Sequence, residues 1–176
     1  GGVGTFAVQI AKAYGAEVTG VSSSRNLELV RSLGADRVID YTQDDFTRGE
    51  RRYNLVLDNV GNHPMRAVRR VLEPGGIHVV IGGPKDNRWV GPLTNFAKAP
   101  LVSAFSSEST VVMLSSMSRE DLEALRELME SGRVTPVIDR SYAFDQLPEA
   151  IRHVATGRTR GKVVVAWLDH VSDTLD

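Results

Sequence analysis

Apolar residues recur along this chain in two alternating rhythms, and the alternation is its main structural signal. Phe6, Ala7, Ile10, Ala11 and Tyr14 fall at helical spacing directly after Gly1-Gly2-Val3-Gly4, which predicts a helix over residues 3–14. Residues 17–22 read as a strand, and Leu29, Val30 and Leu33 mark a second helix with Ser24 as its N-cap and Gly34 as its stop. Arg37-Val38-Ile39-Asp40-Tyr41 is a short strand, residues 42–52 a polar, partly helical crossover, and residues 53–58 a longer buried strand. A helix over 64–72 ends at Glu73-Pro74-Gly75-Gly76, where proline and paired glycines cannot continue it, and residues 77–81 form the next central strand.

From residue 82 to 107 the rhythm fades into Gly, Pro, Asn and Ser. A connection of that length is expected to be a lid or binding loop. Residues 110–114 resume as a strand, and residues 119–131 as a helix with Leu122, Leu125, Leu128 and Met129 on one face. Residues 135–138 are extended, Leu147, Ile151 and Val154 mark a last helix, and residues 162–167 a last strand. Strands alternating with helices point to βαβ units and a parallel sheet, an α/β fold of the doubly wound Rossmann type. The division expected is residues 1–117 as the sheet domain, 118–168 as a C-terminal helix and strand segment, and 169–176 as a disordered tail.

Composition removes several classes of function. A net charge of -1 carries no signature of nucleic acid or anionic membrane as partner. The clusters Arg48, Arg51, Arg52 and Arg66, Arg69, Arg70 read as solvated faces, interspersed as they are with Glu50 and Glu73. With no cysteine, thiolate catalysis, disulfides and cysteine-ligated zinc are excluded within these 176 residues. No apolar run approaches the ~20 residues of a membrane span and the start shows no targeting pattern, so the expectation is a cytoplasmic protein.

The glycines at the start carry the first chemical hint. A Gly-x-x-Gly turn opening a helix lets backbone approach a pyrophosphate and aims free N–H groups and the positive helix end at it, although such a turn can also be merely tight. A dinucleotide site of this kind reads its adenosine ribose at the tip of the second strand, where Asp or Glu accepts both hydroxyls of NAD. Here the chain has Ser22-Ser23-Ser24-Arg25 instead. Three hydroxyls and a guanidinium favour the 2′-phosphate of NADP over NAD, while the serines are equally compatible with capping the next helix. Asn59-Val60-Gly61 and Gly82-Gly83 follow central strands, at the edge where ligands sit in doubly wound folds, and Ser115 and Ser116 follow the next strand. The four histidines lack ligand spacing, His78 reads as a satisfied core histidine, and Asp58 as structural.

Several segments together resemble the medium-chain dehydrogenase/reductase family, in its zinc-free, quinone-oxidoreductase-like branch. They are residues 1–12, Leu33-Gly34-Ala35-Asp36-Arg37-Val38-Ile39-Asp40-Tyr41, Leu57-Asp58-Asn59-Val60-Gly61 and Gly161-Lys162-Val163-Val164-Val165, in order along nearly the whole chain. The resemblance implies an N-terminally truncated Rossmann portion, since the first strand and glycine of the fingerprint do not appear here. It implies a GroES-like catalytic domain of ~100 residues or more elsewhere, supplying most of the substrate pocket and packing on the C-terminal segment. It further implies that Tyr41 lies against the adenine and 2′-phosphate and that Arg160 and Lys162 reach the cofactor phosphates, that the small-molecule substrate is a quinone, enone or carbonyl compound, and that the protein is a homo-oligomer. Two alternatives stay open. Val71-Leu72-Glu73-Pro74-Gly75-Gly76 also looks like a segment of S-adenosylmethionine-dependent methyltransferases, and a non-enzymatic dinucleotide sensor would use the same fold.

Overall fold

The computed structural model describes residues 1–81, 109–112 and 118–167. The readings made at residues 82–108, 113–117 and 168–176, among them the long loop, Gly82, Gly83, Ser115, His170 and the tail, lie outside the described residues. The chain divides into two compact units, residues 1–42 with 118–176 and residues 43–117.

In the first unit, α1 (Gly4–Ala13) leads into β1 (Thr19–Ser22), α2 (Leu27–Ser32) and β2 (Arg37–Asp40). The strands pair in parallel, Thr19 opposite Arg37 through Ser22 opposite Asp40. Gly34 ends α2 at φ +98°, a left-handed conformation that glycine adopts without steric cost, and its N–H donates to Arg31 O at 2.9 Å. The C-terminal part adds α4 (Arg119–Glu130), β6 (Ile138–Ala143), α5 (Leu147–Ala155) and β7 (Lys162–Ala166), with β6 and β7 parallel. Ser118 caps α4 by accepting from Asp121 N–H at 3.0 Å, and Glu120 and Asp121 complement the helix dipole.

Gln9 of α1 ties the two segments of this unit together. Its side-chain amide donates to Thr135 O at 3.0 Å and to Thr5 O at 2.9 Å, while its Oε1 accepts from Thr135 N–H at 2.8 Å. A buried amide satisfied in this way specifies register, because any slip leaves donors and acceptors unpaired. Leu128, Val134 and Ala150 are its buried apolar residues.

The second unit holds β3 (Tyr53–Asp58), α3 (Met65–Arg69), β4 (Leu72–Val80) and β5 (Ser109–Val112) in a parallel sheet of order β3-β4-β5. Val68, Val71 and Leu72 are buried. Three sequence expectations need correction. The helix is one turn shorter than residues 64–72, and β4 begins at Leu72 rather than 77, because Leu72 pairs with Tyr53 and the ladder absorbs the Pro74-Gly75 segment as a register shift. Likewise, the extended segment expected over 135–138 continues as β6 to Ala143.

Candidate functional site

The glycine turn and the start of α1 form one side of the site. The first i→i−4 bond runs from Thr5 N–H to Gly1 O at 3.1 Å, which leaves the N–H groups of Gly2, Val3 and Gly4 ahead of the helix ladder. A Cβ on Gly1 would lie 3.2 Å from Thr159 O, and one on Gly2 3.3 Å from Lys162 Cδ and 3.5 Å from its Nζ. The glycines therefore have a second duty that their spacing does not announce: they admit the C-terminal turn. Through that contact the Lys162 ammonium stands beside the helix start, 5.3 Å from the centre of the Phe6 ring.

The end of β1 forms the next wall. Ser24, the expected N-cap, is instead the first residue of a short 3-10 turn, Ser24–Asn26, and Asn26 occupies the N-cap position of α2. Ser24 is turned elsewhere, its hydroxyl 3.2 Å from Thr42 Oγ1 and in hydrogen-bond reach of the Asp40 carboxylate. Asn26 Nδ2 donates to Ser23 Oγ at 3.4 Å, and Ser22 Oγ makes only a long contact of 3.5 Å with Ser23 O. Arg25 Nη2 donates to Arg158 O at 2.7 Å, which sets its guanidinium between the strand end and the C-terminal turn. Tyr41 follows β2 and is 59% exposed, open to a planar ligand.

A carboxylate does occur at this edge, contributed by β2 and not by β1. Asp40 is buried and accepts from Thr42 N–H at 3.0 Å and Thr42 Oγ1 at 2.7 Å. The Ser24 hydroxyl, followed by Thr42, holds it below the usual carboxylate range. Engaged by these donors, it serves the strand ends.

In the second unit, Asn59 and Val60 are exposed after β3 on a loop fixed by Asp58. Asp58 Oδ1 accepts from Val60 N–H at 3.0 Å and Gly61 N–H at 2.7 Å, while Oδ2 faces His78 Nε2 at 3.5 Å. His78 is buried, as expected, yet neither ring nitrogen makes a close hydrogen bond among the described residues. Burial alone would push the Asp58 carboxyl up. His78 and the N–H groups of Gly61 and Val60 outweigh it and hold the carboxyl below the usual range. A carboxyl depressed by folding stabilises fully above its unfolded pKa of about 4, and that contribution is lost as pH falls through the lower folded value. Asp58→Asn should thus cost about 1–2 kcal/mol at pH 7, with the deficit shrinking from pH 4 downward. Denaturant titrations at pH 7, 5 and 3 check this; a deficit independent of pH would assign the effect to shape instead of charge.

Each described histidine faces a carboxylate: His63 with Asp45 at 3.4 Å, His78 with Asp58 at 3.5 Å, and His153 with Asp139 at 2.6 Å. None of these pairings is visible in the sequence. Among the described residues no group of three or more His, Cys, Asp or Glu side chains converges as metal ligands would. Nor is any described helix long and apolar enough to cross a membrane.

Parallel strands joined by helices, with a glycine turn opening α1 and hydroxyl and guanidinium groups closing β1, define an α/β chain of Rossmann type. Residues 33–165 match the family model described as zinc-binding dehydrogenase. The chain belongs to that family, within the medium-chain dehydrogenase/reductases. It is 33% identical over 186 residues to a mitochondrial NAD(P)H oxidoreductase of Mus musculus, covering 94% of this chain and 45% of the relative. It is 36% identical over 169 residues to the 2-methylene-furan-3-one reductase of Solanum lycopersicum, covering 94% of this chain and 38% of that one. Among solved structures it is similar to the quinone oxidoreductase from Coxiella burnetii, with a TM-score of 0.74, 25% identity, and coverage of 93% of this chain and 49% of that chain. The chain thus spans half or less of the length of these relatives.

Proposed function

We propose that this chain is the NADP(H)-binding portion of an oxidoreductase that transfers hydride between NADPH and a quinone, enone or carbonyl/alcohol substrate. The observation that carries the reading is the end of β1, where Ser22, Ser23, Ser24 and Arg25 stand in place of a ribose-binding carboxylate, with the Arg25 guanidinium held at that edge. Oxidoreductase relatives support the reaction class. The nicotinamide, when bound, supplies the hydride.

The protein's own residues bind and orient. The N–H groups of Gly2, Val3 and Gly4 and the Lys162 ammonium receive the pyrophosphate, a helix start and a cation acting together on one anion. Arg25 pairs with the 2′-phosphate, the Ser22 and Ser23 hydroxyls with the ribose, and Tyr41 with the adenine. Asn59 and Val60 are assigned to the ribose and nicotinamide by their place after β3, and Gly82, Gly83 and Ser115 on sequence grounds. Arg160 adds positive charge. The substrate side is assigned to a GroES-like domain in a longer protein, which acts as a homo-oligomer.

Calorimetric titration of NADPH and NADH into the longer protein tests the cofactor assignment. NADPH should bind at least about tenfold more tightly, and Arg25→Ala should remove most of that preference, since a charge-assisted phosphate contact contributes about 1.5–3 kcal/mol. Equal affinities of the unmodified protein for both cofactors would overturn the NADP assignment.

A further inference from the structure

We propose that Asp139 and His153 are positioning residues for the cofactor: together they hold the basic turn at residues 158–162 against the glycine turn, and so set the affinity for the dinucleotide's phosphates. The proposal rests on the NADP(H) reading above.

It starts from an irregularity in the C-terminal sheet. Ile138 pairs with Lys162 and Arg140 with Val163, so two steps along β6 match one along β7, and Asp139 is the extra residue. A bulge of this kind re-aims one side chain out of the ladder. The Asp139 carboxylate accepts from His153 Nε2 at 2.6 Å, and the backbone N–H of Arg160 adds a weaker stabilising influence on its charge. The distance to His153 is that of a charge-assisted bond, and both side chains are largely shielded, at 14% and 23% exposure.

These two contacts span the turn from opposite ends. His153 lies in the last turn of α5, where its carbonyl accepts from Thr156 Oγ1 at 2.6 Å, and that hydroxyl accepts in turn from Arg158 N–H at 3.2 Å. Arg160 N–H favours the charged form of Asp139, and Lys162 N–H donates to Val137 O at 2.7 Å. Arg158 O, Thr159 O and the Lys162 side chain are the groups that meet Arg25, Gly1 and Gly2. The turn carries Arg158, Arg160 and Lys162, three cations in five residues that repel one another. The largely shielded Asp139 carboxylate on β6 offsets that repulsion. The bond from His153, and then the N–H of Arg160, hold the Asp139 carboxyl below the usual range despite its burial.

The test uses the longer protein, with Asp139→Ala, Asp139→Asn, His153→Ala and His153→Gln. NADPH affinity, KM for NADPH, KM for the acceptor, kcat and the thermal midpoint without cofactor are measured for each. Both alanine variants should weaken NADPH about five- to tenfold with kcat and acceptor KM within about twofold, because the turn loses its place while the reacting groups keep theirs. The double alanine variant should be no worse than the weaker single one, as for two residues acting through one contact. Asp139→Asn and His153→Gln preserve size and one hydrogen bond, so they should retain most of the affinity and keep the test valid if an alanine variant does not fold. NADPH affinity unchanged in folded variants overturns the positioning role while leaving the cofactor reading intact. A parallel loss of kcat, acceptor KM and thermal midpoint reduces the pair to a general structural role and also overturns it. Failure of the unmodified protein to bind NADPH overturns both readings together.

Discussion

If the proposed function holds, residues 1–176 assayed alone with NADPH and a panel of quinones and enones should turn over at least about 10^4-fold more slowly than the same residues joined to a GroES-like catalytic domain. On the proposed function, these residues hold the cofactor side of the reaction. A hydride acceptor must rest within about 3–3.5 Å of the donor carbon, in line with it, to gain the large advantage of orientation. The pocket that would hold it is assigned to the part of the protein outside this chain, which spans 45% of its mouse relative and 38% of its tomato relative. The C-terminal segment has an apolar surface of the kind such a domain would cover: Phe144 at 47%, Ile151 at 59% and Trp167 at 76% exposure, with Phe144 and Trp167 in ring contact. In the same segment Ile138 is exposed, whereas Val137 and Tyr142 are half-buried, Tyr142 lying near the His153 ring. Steady NADPH-dependent turnover by residues 1–176 alone would place the active site within them and overturn the assignment.

The second large effect concerns stability. Gly161 sits where β7 begins, and a Cβ there would collide with the carbonyl of Val137, with Val137 Cγ1 also at 3.0 Å. The closest atoms are the backbone carbonyl oxygen and carbon of Val137, which cannot swing aside as the end of a flexible side chain could. Gly161→Ala should therefore destabilise by about 1–3 kcal/mol and break the bond from Lys162 N–H to Val137 O, and Gly161→Val should do more. Gly49→Ala is the matched control, because its added Cβ would meet nothing closer than Phe46 O at 3.7 Å and its φ is -71°. It should change stability by less than about 0.5 kcal/mol. Urea titrations of both variants decide the matter, and equal stability of Gly161→Ala and the unmodified protein would refute the close packing of this turn.

Elements with a continuous apolar run or a strong helical period are legible in the amino-acid pattern itself. The strand expected over residues 53–58 is β3 to the residue, the helix expected over 119–131 is α4 within one position, and β7 begins at Lys162 as its pattern predicts. β6 is illegible beyond Ile138 because Asp139, Arg140 and Ser141 interrupt its apolar pattern, and the bulge shifts its alternation partway along. The glycine turn and the serines of β1 are recognisable because their chemistry is local. Pairing at a distance is what the pattern hides. His153 finds Asp139 14 residues away, and Arg25 finds a backbone carbonyl 133 residues away, a partner that no side-chain pattern could announce. Asp40 reads simply as part of a strand, and only the parallel alignment of β1 with β2 reveals that its carboxylate meets Ser24.

The hydrogen bonds between Gln9 and Thr135 span 126 residues, and this has a consequence for how the protein is made. Contacts so remote in sequence demand chain closure before they return any stabilisation, which makes them late events in folding. At ribosomal rates of about 5–20 residues per second, α1 waits on the order of ten seconds before Thr135 exists to receive it. During that interval the buried face of α1 has no native partner from this end of the chain. Nascent-chain binding by a holdase chaperone should therefore be heaviest before residues 135–162 emerge from the ribosome and fall away once they have emerged.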